Sequence, residues 1–303
     1  MVAVQMSGGL GNQMFEYALY LKLRSMGKEV KIDDFTCYGE GERKKQLDVF
    51  GIRCEQDAGT AFGACGGPSE LLTYGRLTQK EYIALTDSDL GLQNKIRRKL
   101  TGRKDLSYRE ASSDYDGEIL IREPALFLGY FQTEKYFKDI EDEVREVYQF
   151  RGFTPPPGVI RYEEQIRECI SVSVHIRRGD YLDPKYKSLY EGICDDAYYA
   201  RAVGRMKEKH PEAKFFFFSN DTEWVKAHYE GPDSVVIEGN DEDCGYADLY
   251  LMSRCSHHII ANSSFSWWGA WLGASPDKTV IAPKRWLNGR ACSDIYTEEM
   301  ILL

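Results

Sequence analysis

The segment Val174-His175-Ile176-Arg177-Arg178-Gly179-Asp180-Tyr181 carries an imidazole, two guanidiniums and a carboxylate directly after an apolar run. A guanidinium is planar and permanently charged, and its fork of donors suits a diphosphate at the end of a strand. If the reaction expels a nucleoside diphosphate, negative charge grows on the β-phosphate in the transition state. A fixed arginine there lowers the barrier without a metal ion. The competing role is an Arg–Asp pair that ties down a loop. Both are expected here: one arginine on phosphate, the other working with Asp180 as scaffold.

Three further segments could bind a ligand. Gly8-Gly9-Leu10-Gly11-Asn12-Gln13 lacks the G-x-G-x-x-G spacing of dinucleotide sites and the Lys-Ser/Thr end of a P-loop, so a nicotinamide or ATP role is not licensed. Gly9 and Gly11 permit close backbone approach, and Asn12 and Gln13 supply amides, at what reads as a helix N-terminus. A plain tight turn with Asn12 as helix cap explains the glycines equally well. In Asn262-Ser263-Ser264-Phe265-Ser266-Trp267-Trp268-Gly269, hydroxyls and backbone donors stand at a strand-to-helix turn, where phosphate oxygens are held. Trp267, Trp268 and Trp271 read as packing that fixes that turn. Asn220 and Asp221 end the run Phe215–Phe218, where a carboxylate could accept from guanine or ribose or simply cap the next helix.

Metal chemistry has weaker support. Asp87-Ser88-Asp89 mimics a D-x-D motif and Asp241-Glu242-Asp243 is a second acidic cluster, but neither ends an apolar strand, so both read as solvated loops. His257-His258 has no Glu or Cys partner at ligand spacing, and the eight cysteines form no C-x-x-C pair. No metal and no cofactor are expected, and the thiols read as reduced and mostly buried.

These residues need elements to position them. Residues 2–6 read as a strand, the glycines as a loop, and an apolar stripe through Met14, Ala18 and Leu21 as a helix beginning near Asn12. Gly27 stands where a helix ends, and Val30–Asp33 resumes a strand, completing a βαβ unit. Residues 35–116 resist assignment apart from a helix-compatible stretch over 90–100. Residues 125–130 read as a buried strand and 134–148 as an amphipathic helix with Phe137, Ile140, Val144 and Val147 inward. The stiff break Thr154-Pro155-Pro156-Pro157-Gly158 divides the chain into domains 1–155 and 156–303. Five β-prone runs follow, at 171–176, 214–219, 235–238, 258–261 and 279–282. They alternate with helical stretches, one of them 197–210 with Asp195 or Asp196 as cap, and so predict a second parallel sheet. The fold class is α/β, with two Rossmann-like parallel sheets facing a cleft and ligands outside the carboxyl ends of the strands.

Bulk composition restricts the partners. The 303 residues suffice for two domains. A net charge of -9 argues against a broad grip on nucleic acid. There is no bilayer-spanning apolar run and no secretory signal order at Met1, so a cytoplasmic location is expected, and peripheral membrane association stays open.

The motifs GGLGNQMFEYA from Gly8, GYFQTEKYF from Gly129, HIRRGDY from His175, FSND from Phe218, ANSSFSWWGAWL from Ala261 and APKRW from Ala282 resemble the bacterial α-1,2-fucosyltransferases of the glycosyltransferase family that includes the blood-group H enzymes. They run from end to end of the chain, and residues 54–115 match least. The resemblance implies a two-domain GT-B-like fold, GDP-β-L-fucose as donor, a β-galactoside glycan as acceptor attacked through its 2-hydroxyl, inversion at the anomeric carbon and no metal. It implies that Arg177 stabilises the leaving phosphate, with Arg178 beside it. His175, Asn220 and Asp221 hold the nucleoside, while Asn262, Ser263, Ser264 and Phe265 lie along diphosphate and base. Asn12 approaches the reacting centre beside Gly9 and Gly11, and Asp33 stands where a general base falls, its alternative being to anchor a loop. A fucosyltransferase of another linkage or acceptor, and a binding protein without turnover, are the alternatives.

Overall fold

The computed structural model describes residues 1–38, 44–57, 69–88, 91–102, 105–178, 184–239 and 244–303. Two compact units are present, Met1–Phe153 and Thr154–Leu303.

In the first unit, β1 (Val2–Gln5) runs into α1 (Leu10–Ser25), β2 (Val30–Asp33) and the short pair β3 (Arg53–Cys54) and β4 (Thr73–Tyr74). Next come α2 (Gln79–Thr86), α3 (Leu92–Thr101), β5 (Ser107–Arg109), α4 (Glu118–Ile121), β6 (Ala125–Leu128) and α5 (Glu141–Val147). The main sheet has the order β2-β1-β6-β5 and is parallel throughout, with Val2 opposite both Val30 and Ala125. Val2, Ala3 and Val4 are all buried, which explains the unbroken apolar run in β1.

Helix α1 starts at Leu10, with Gly9 as its N-cap, so Asn12 is not the cap. Gly8 has φ +69, and a Cβ on it would lie 2.6 Å from the Asn12 amide nitrogen. The turn therefore needs glycine both for its left-handed backbone and for the returning Asn12 side chain. Gly27, with φ 77, follows the helix end and donates to the Arg24 carbonyl at 2.8 Å.

The expected helix over 134–148 is only α5. Residues Glu134–Tyr136 and Lys138–Ile140 form separate 3-10 turns, broken at Phe137 with φ -134. Tyr136 and Phe137 are adjacent and both buried, the Tyr136 hydroxyl oxygen accepting from the Asp116 N–H and Phe137 packing against Phe15. Neighbours on a continuous helix point about 100° apart, so satisfying both contacts breaks the helix.

The region that resisted assignment is tied to β2 by Asp34. This carboxylate accepts from Arg76 (Nε 2.6 Å, Nη2 3.0 Å), Lys45 (2.9 Å) and the Tyr74 hydroxyl (2.8 Å). Burial alone would raise its pKa; the hydrogen bonds from Arg76, Lys45 and Tyr74 outweigh that and hold it below the usual carboxylate range.

The second unit begins with extended residues 154–156. Pro157 and Gly158, expected in the break, are instead the start of α6 (Pro157–Arg167), because proline's fixed φ and missing N–H suit a first helical turn. Then follow β7 (Ser171–Ile176), α7 (Lys187–Tyr190), α8 (Asp196–Lys209), β8 (Lys214–Ser219), α9 (Thr222–Tyr229), β9 (Ser234–Val236) and α10 (Gly245–Arg254). The chain finishes with β10 (His257–Ile259), α11 (Ser264–Leu272), β11 (Val280–Ala282) and β12 (Met300–Leu302). The sheet order is β12-β11-β10-β7-β8-β9, parallel throughout, and β12 is an addition to the expected five strands. Phe215–Phe218 are buried on both faces of β8. Asp195 caps α8 through the Tyr198 N–H at 2.7 Å. Among the described cysteines Cys54, Cys255 and Cys292 are buried, whereas Cys37, Cys169, Cys194 and Cys244 are only partly so. Among the described residues no helix is long and apolar enough to cross a membrane.

Candidate functional site

Both sheets reverse their winding beside their first strand. In the second unit the chain moves from β7 outward to β8 and β9, then returns to place β10 on the other side of β7. Loops leaving the carboxyl ends of β7 and β10 diverge to opposite faces and leave a crevice, the standard ligand position in open α/β sheets. His175 lies in β7, Arg177 and Arg178 follow it, and Asn262–Phe265 follow β10, so the sheet brings these segments together.

The two arginines differ. Arg178 is committed to the neighbouring β8 loop: its Nε donates to Asp221 Oδ2 at 3.1 Å and its backbone N–H to Asn220 Oδ1 at 3.2 Å. Its guanidinium lies 3.9 Å from the centre of the Trp224 ring, which stacks in turn on His228. Asp221 also caps α9 through the Trp224 N–H at 3.2 Å. The helix-capping alternative for Asp221 is therefore the one seen, and the scaffold partner of Arg178 is Asp221. Asp180 lies outside the described residues. Arg177 stands half-buried at the end of β7.

On the strand that leads to Arg177, His175 is buried, with its ring 5.7 Å from that of Phe265 and its carbonyl held by the Tyr199 hydroxyl at 2.9 Å. Ser263 is the N-cap of α11 and forms no side-chain capping bond. The positive end of the α11 dipole lies on the same sheet edge as Arg177. Asn262 faces inward, donating to the Trp286 carbonyl at 2.9 Å and accepting from Cys194, so it braces the turn. Burial pushes the Cys194 thiol up to about 12. Trp267, Trp268 and Trp271 are buried against one another, and Trp267 donates to the Ile295 carbonyl at 2.7 Å, which is the packing role expected of them.

In the first unit the reversal falls between β1 and β6, and the glycine loop meets the segment after β6. Gln132 donates to Asn12 Oδ1 at 2.8 Å, joining the two loops. Gly9 is half-buried at the helix start and Gly11 is buried in the first turn. Gln13 is fully buried and donates to the carbonyls of Gly8 and Lys44.

Two carboxylates shape these loops, and the sequence reading singled out neither. Glu16 is buried in α1 and accepts from the Ser7 N–H and hydroxyl, each at 2.8 Å. Burial drives its pKa well above the usual carboxylate range; the Ser7 bonds oppose this and Glu110 adds to it. Glu110 accepts from the N–H groups of Tyr130 (2.9 Å) and Phe131 (3.1 Å), holding Phe131 at φ 50. The only sequence signal for Glu16 was a lone acid on an apolar helix stripe; Glu110 lies in the unreadable region.

Asp33 is 0% exposed, and its oxygens accept from Gln5, from the Phe35 and Thr36 N–H groups and from the Thr36 hydroxyl. That is the loop-anchoring alternative: both carboxylate oxygens are engaged by donors of β1 and of the loop that follows β2.

Among the described residues no group of three His, Cys, Asp or Glu is placed to hold a metal ion. Asp87 is a left-handed C-cap of α2; Asp89 and residues 241–243 lie outside the described residues. His257 stacks on His210 at 3.8 Å and accepts from the Thr279 N–H at 3.1 Å, at the end of β10 away from the crevice.

Residues 99–302 match the profile of Glycosyl transferase family 11. The chain is 31% identical to an alpha-1,2-colitosyltransferase of Escherichia coli, over 95% of this chain and 92% of that protein. It is 27% identical to the Escherichia coli O-antigen biosynthesis glycosyltransferase WbnK, over 98% and 99%. A human galactoside alpha-(1,2)-fucosyltransferase 1 is 31% identical over 37% of this chain and 31% of its own. An α/β protein with an arginine-bearing crevice and these relatives is a glycosyltransferase, an enzyme that transfers a sugar. The chain belongs to Glycosyl transferase family 11, with relatives among the α-1,2-fucosyltransferases.

Proposed function

We propose that the chain transfers L-fucose from GDP-β-L-fucose to the 2-hydroxyl of a β-galactoside in a glycan. The second unit holds the donor and the first the acceptor. The acceptor oxygen attacks the anomeric carbon as the bond to the β-phosphate oxygen breaks, giving an α-linkage from a β-donor. The bonding electrons leave with GDP, and the hydroxyl proton passes to water. Carrying the reading is one observation: Arg177 emerges at the strand-order reversal, on the sheet edge where α11 begins. There its charge meets the departing diphosphate, a contribution of about 10²–10³ in turnover. Arg178 is the brace that fixes Arg177's backbone.

The test is transfer from GDP-fucose to lactose in the presence of EDTA, with the product linkage read by NMR. Retained activity and an α-1,2 product are expected. Transfer abolished by the chelator contradicts the metal-free mechanism, another linkage contradicts the acceptor assignment, and GDP binding without any product points to a non-catalytic protein. The colitosyltransferase relative favours a second reading, transfer of colitose, which is fucose lacking its 3-hydroxyl. Competition between GDP-fucose and GDP-colitose as donors decides between them.

A further inference from the structure

Helix α3 presents an apolar stripe to solvent. Leu92, Ile96 and Leu100 recur every four residues along one face and are 75%, 54% and 82% exposed. The exposed Lys95 and Lys99 flank them. From Lys95 onward the sequence carries Lys95, Arg97, Arg98, Lys99, Arg103 and Lys104 without an acidic residue, on a chain of net charge -9.

We propose that α3 docks the protein on an anionic lipid surface, lying flat with Leu92, Ile96 and Leu100 at the boundary between headgroups and acyl chains. A short helix with a basic flank and an aliphatic face has the pattern of an interfacial anchor. The charge is complementary where it matters. Lipid charge is felt only within a Debye length of about 8–10 Å, so at a surface touching the helix the exposed Lys95 and Lys99 count for more than the acidic remainder of the chain. A second copy is a poorer occupant, because a two-fold contact through the stripe would set each basic flank against its twin.

The helix belongs to the first unit and none of its residues is assigned a part in the reaction, so the proposal stands or falls independently of that assignment. The test is co-sedimentation of the full chain with vesicles of phosphatidylcholine alone and of phosphatidylcholine with 30% phosphatidylglycerol, at low and high salt. Binding is expected only with the anionic lipid, weakened by salt, and reduced about tenfold or more in Ile96→Ser/Leu100→Ser and in Lys95→Gln/Lys99→Gln. Transfer to a soluble acceptor should be unchanged in both variants. The proposal is overturned if the wild type does not bind the anionic vesicles, if it binds neutral ones equally, if both variants bind as tightly as wild type, or if sedimentation equilibrium shows a dimer that the Ile96→Ser/Leu100→Ser change dissociates.

Discussion

Gly129 opens the motif GYFQTEKYF, and its space is taken by Glu110. A Cβ on Gly129 would lie 2.4 Å from Glu110 Cβ and 2.7 Å from Oε2. Atoms so close to the Glu110 backbone cannot rotate away, so Gly129→Ala must displace the residue by roughly 1 Å. That movement costs Glu110 its bonds from the Tyr130 and Phe131 N–H groups. Charge-assisted bonds of this kind contribute about 1.5–3 kcal/mol each, part of which water restores. Phe131 would also lose what holds it in a left-handed conformation. A stability loss of about 2–4 kcal/mol is expected, read from urea unfolding. Because Gln132 follows Phe131 and holds Asn12, turnover should fall about 10–100-fold through misplacement of that amide. Glu110→Gly relieves the clash while losing the same bonds, so adding Gly129→Ala to it should cost little more. Wild-type stability and turnover in Gly129→Ala, or full additivity of the two changes, would refute the reasoning.

Glu16 takes up a proton on folding because its folded pKa is raised, so it makes stability fall as pH rises above its unfolded value, by up to about 1.4 kcal/mol per pH unit until the folded pKa is passed. Glu16→Gln should flatten that slope in unfolding titrations; an unchanged slope sinks the assignment. His257 has the opposite sign: burial, with His210 and Lys209 beside it, pushes its pKa down to about 4. Unfolding should become easier as pH falls from about 6.5 towards 4, by at most about 3 kcal/mol, with His258 adding in the same direction, and a pH-independent denaturation midpoint over that range would contradict it. Arg177→Ala should keep wild-type unfolding while losing about 10²–10³ in turnover, so a near-normal rate refutes the role given to that guanidinium.

Most of what positions the candidate site could be read from residue order alone. Apolar runs ending in glycine, arginine or asparagine located β1, β6, β7, β8 and β10 and their loops, because strands buried on both faces leave no ambiguity of period. Elements set by distant partners were not legible. Residues 134–148 have helical periodicity, yet two adjacent aromatics with separate burial sites break it. Strand β12 is three residues long and owes its existence to pairing with β11. Glu16 and Glu110 became visible only once Ser7, Tyr130 and Phe131 were seen to face them, since a carboxylate's role as acceptor is fixed by which amides fold towards it. For Asp33 residue order named two roles, base and loop anchor, and the bonds from Gln5, Phe35 and Thr36 that make it an anchor appear only in the fold.

The strand order also governs how the crevice comes into being. Its two walls in the second unit follow β7 and β10, between which the chain must first lay down α7, α8, β8, α9, β9 and α10. Contacts of such long sequence separation form late and slowly. Nascent chains released before α11 is made would contain the arginines but no opposing wall, so nucleotide capture should switch on only near completion of synthesis, whereas added length in the turn after β9 would leave both walls untouched.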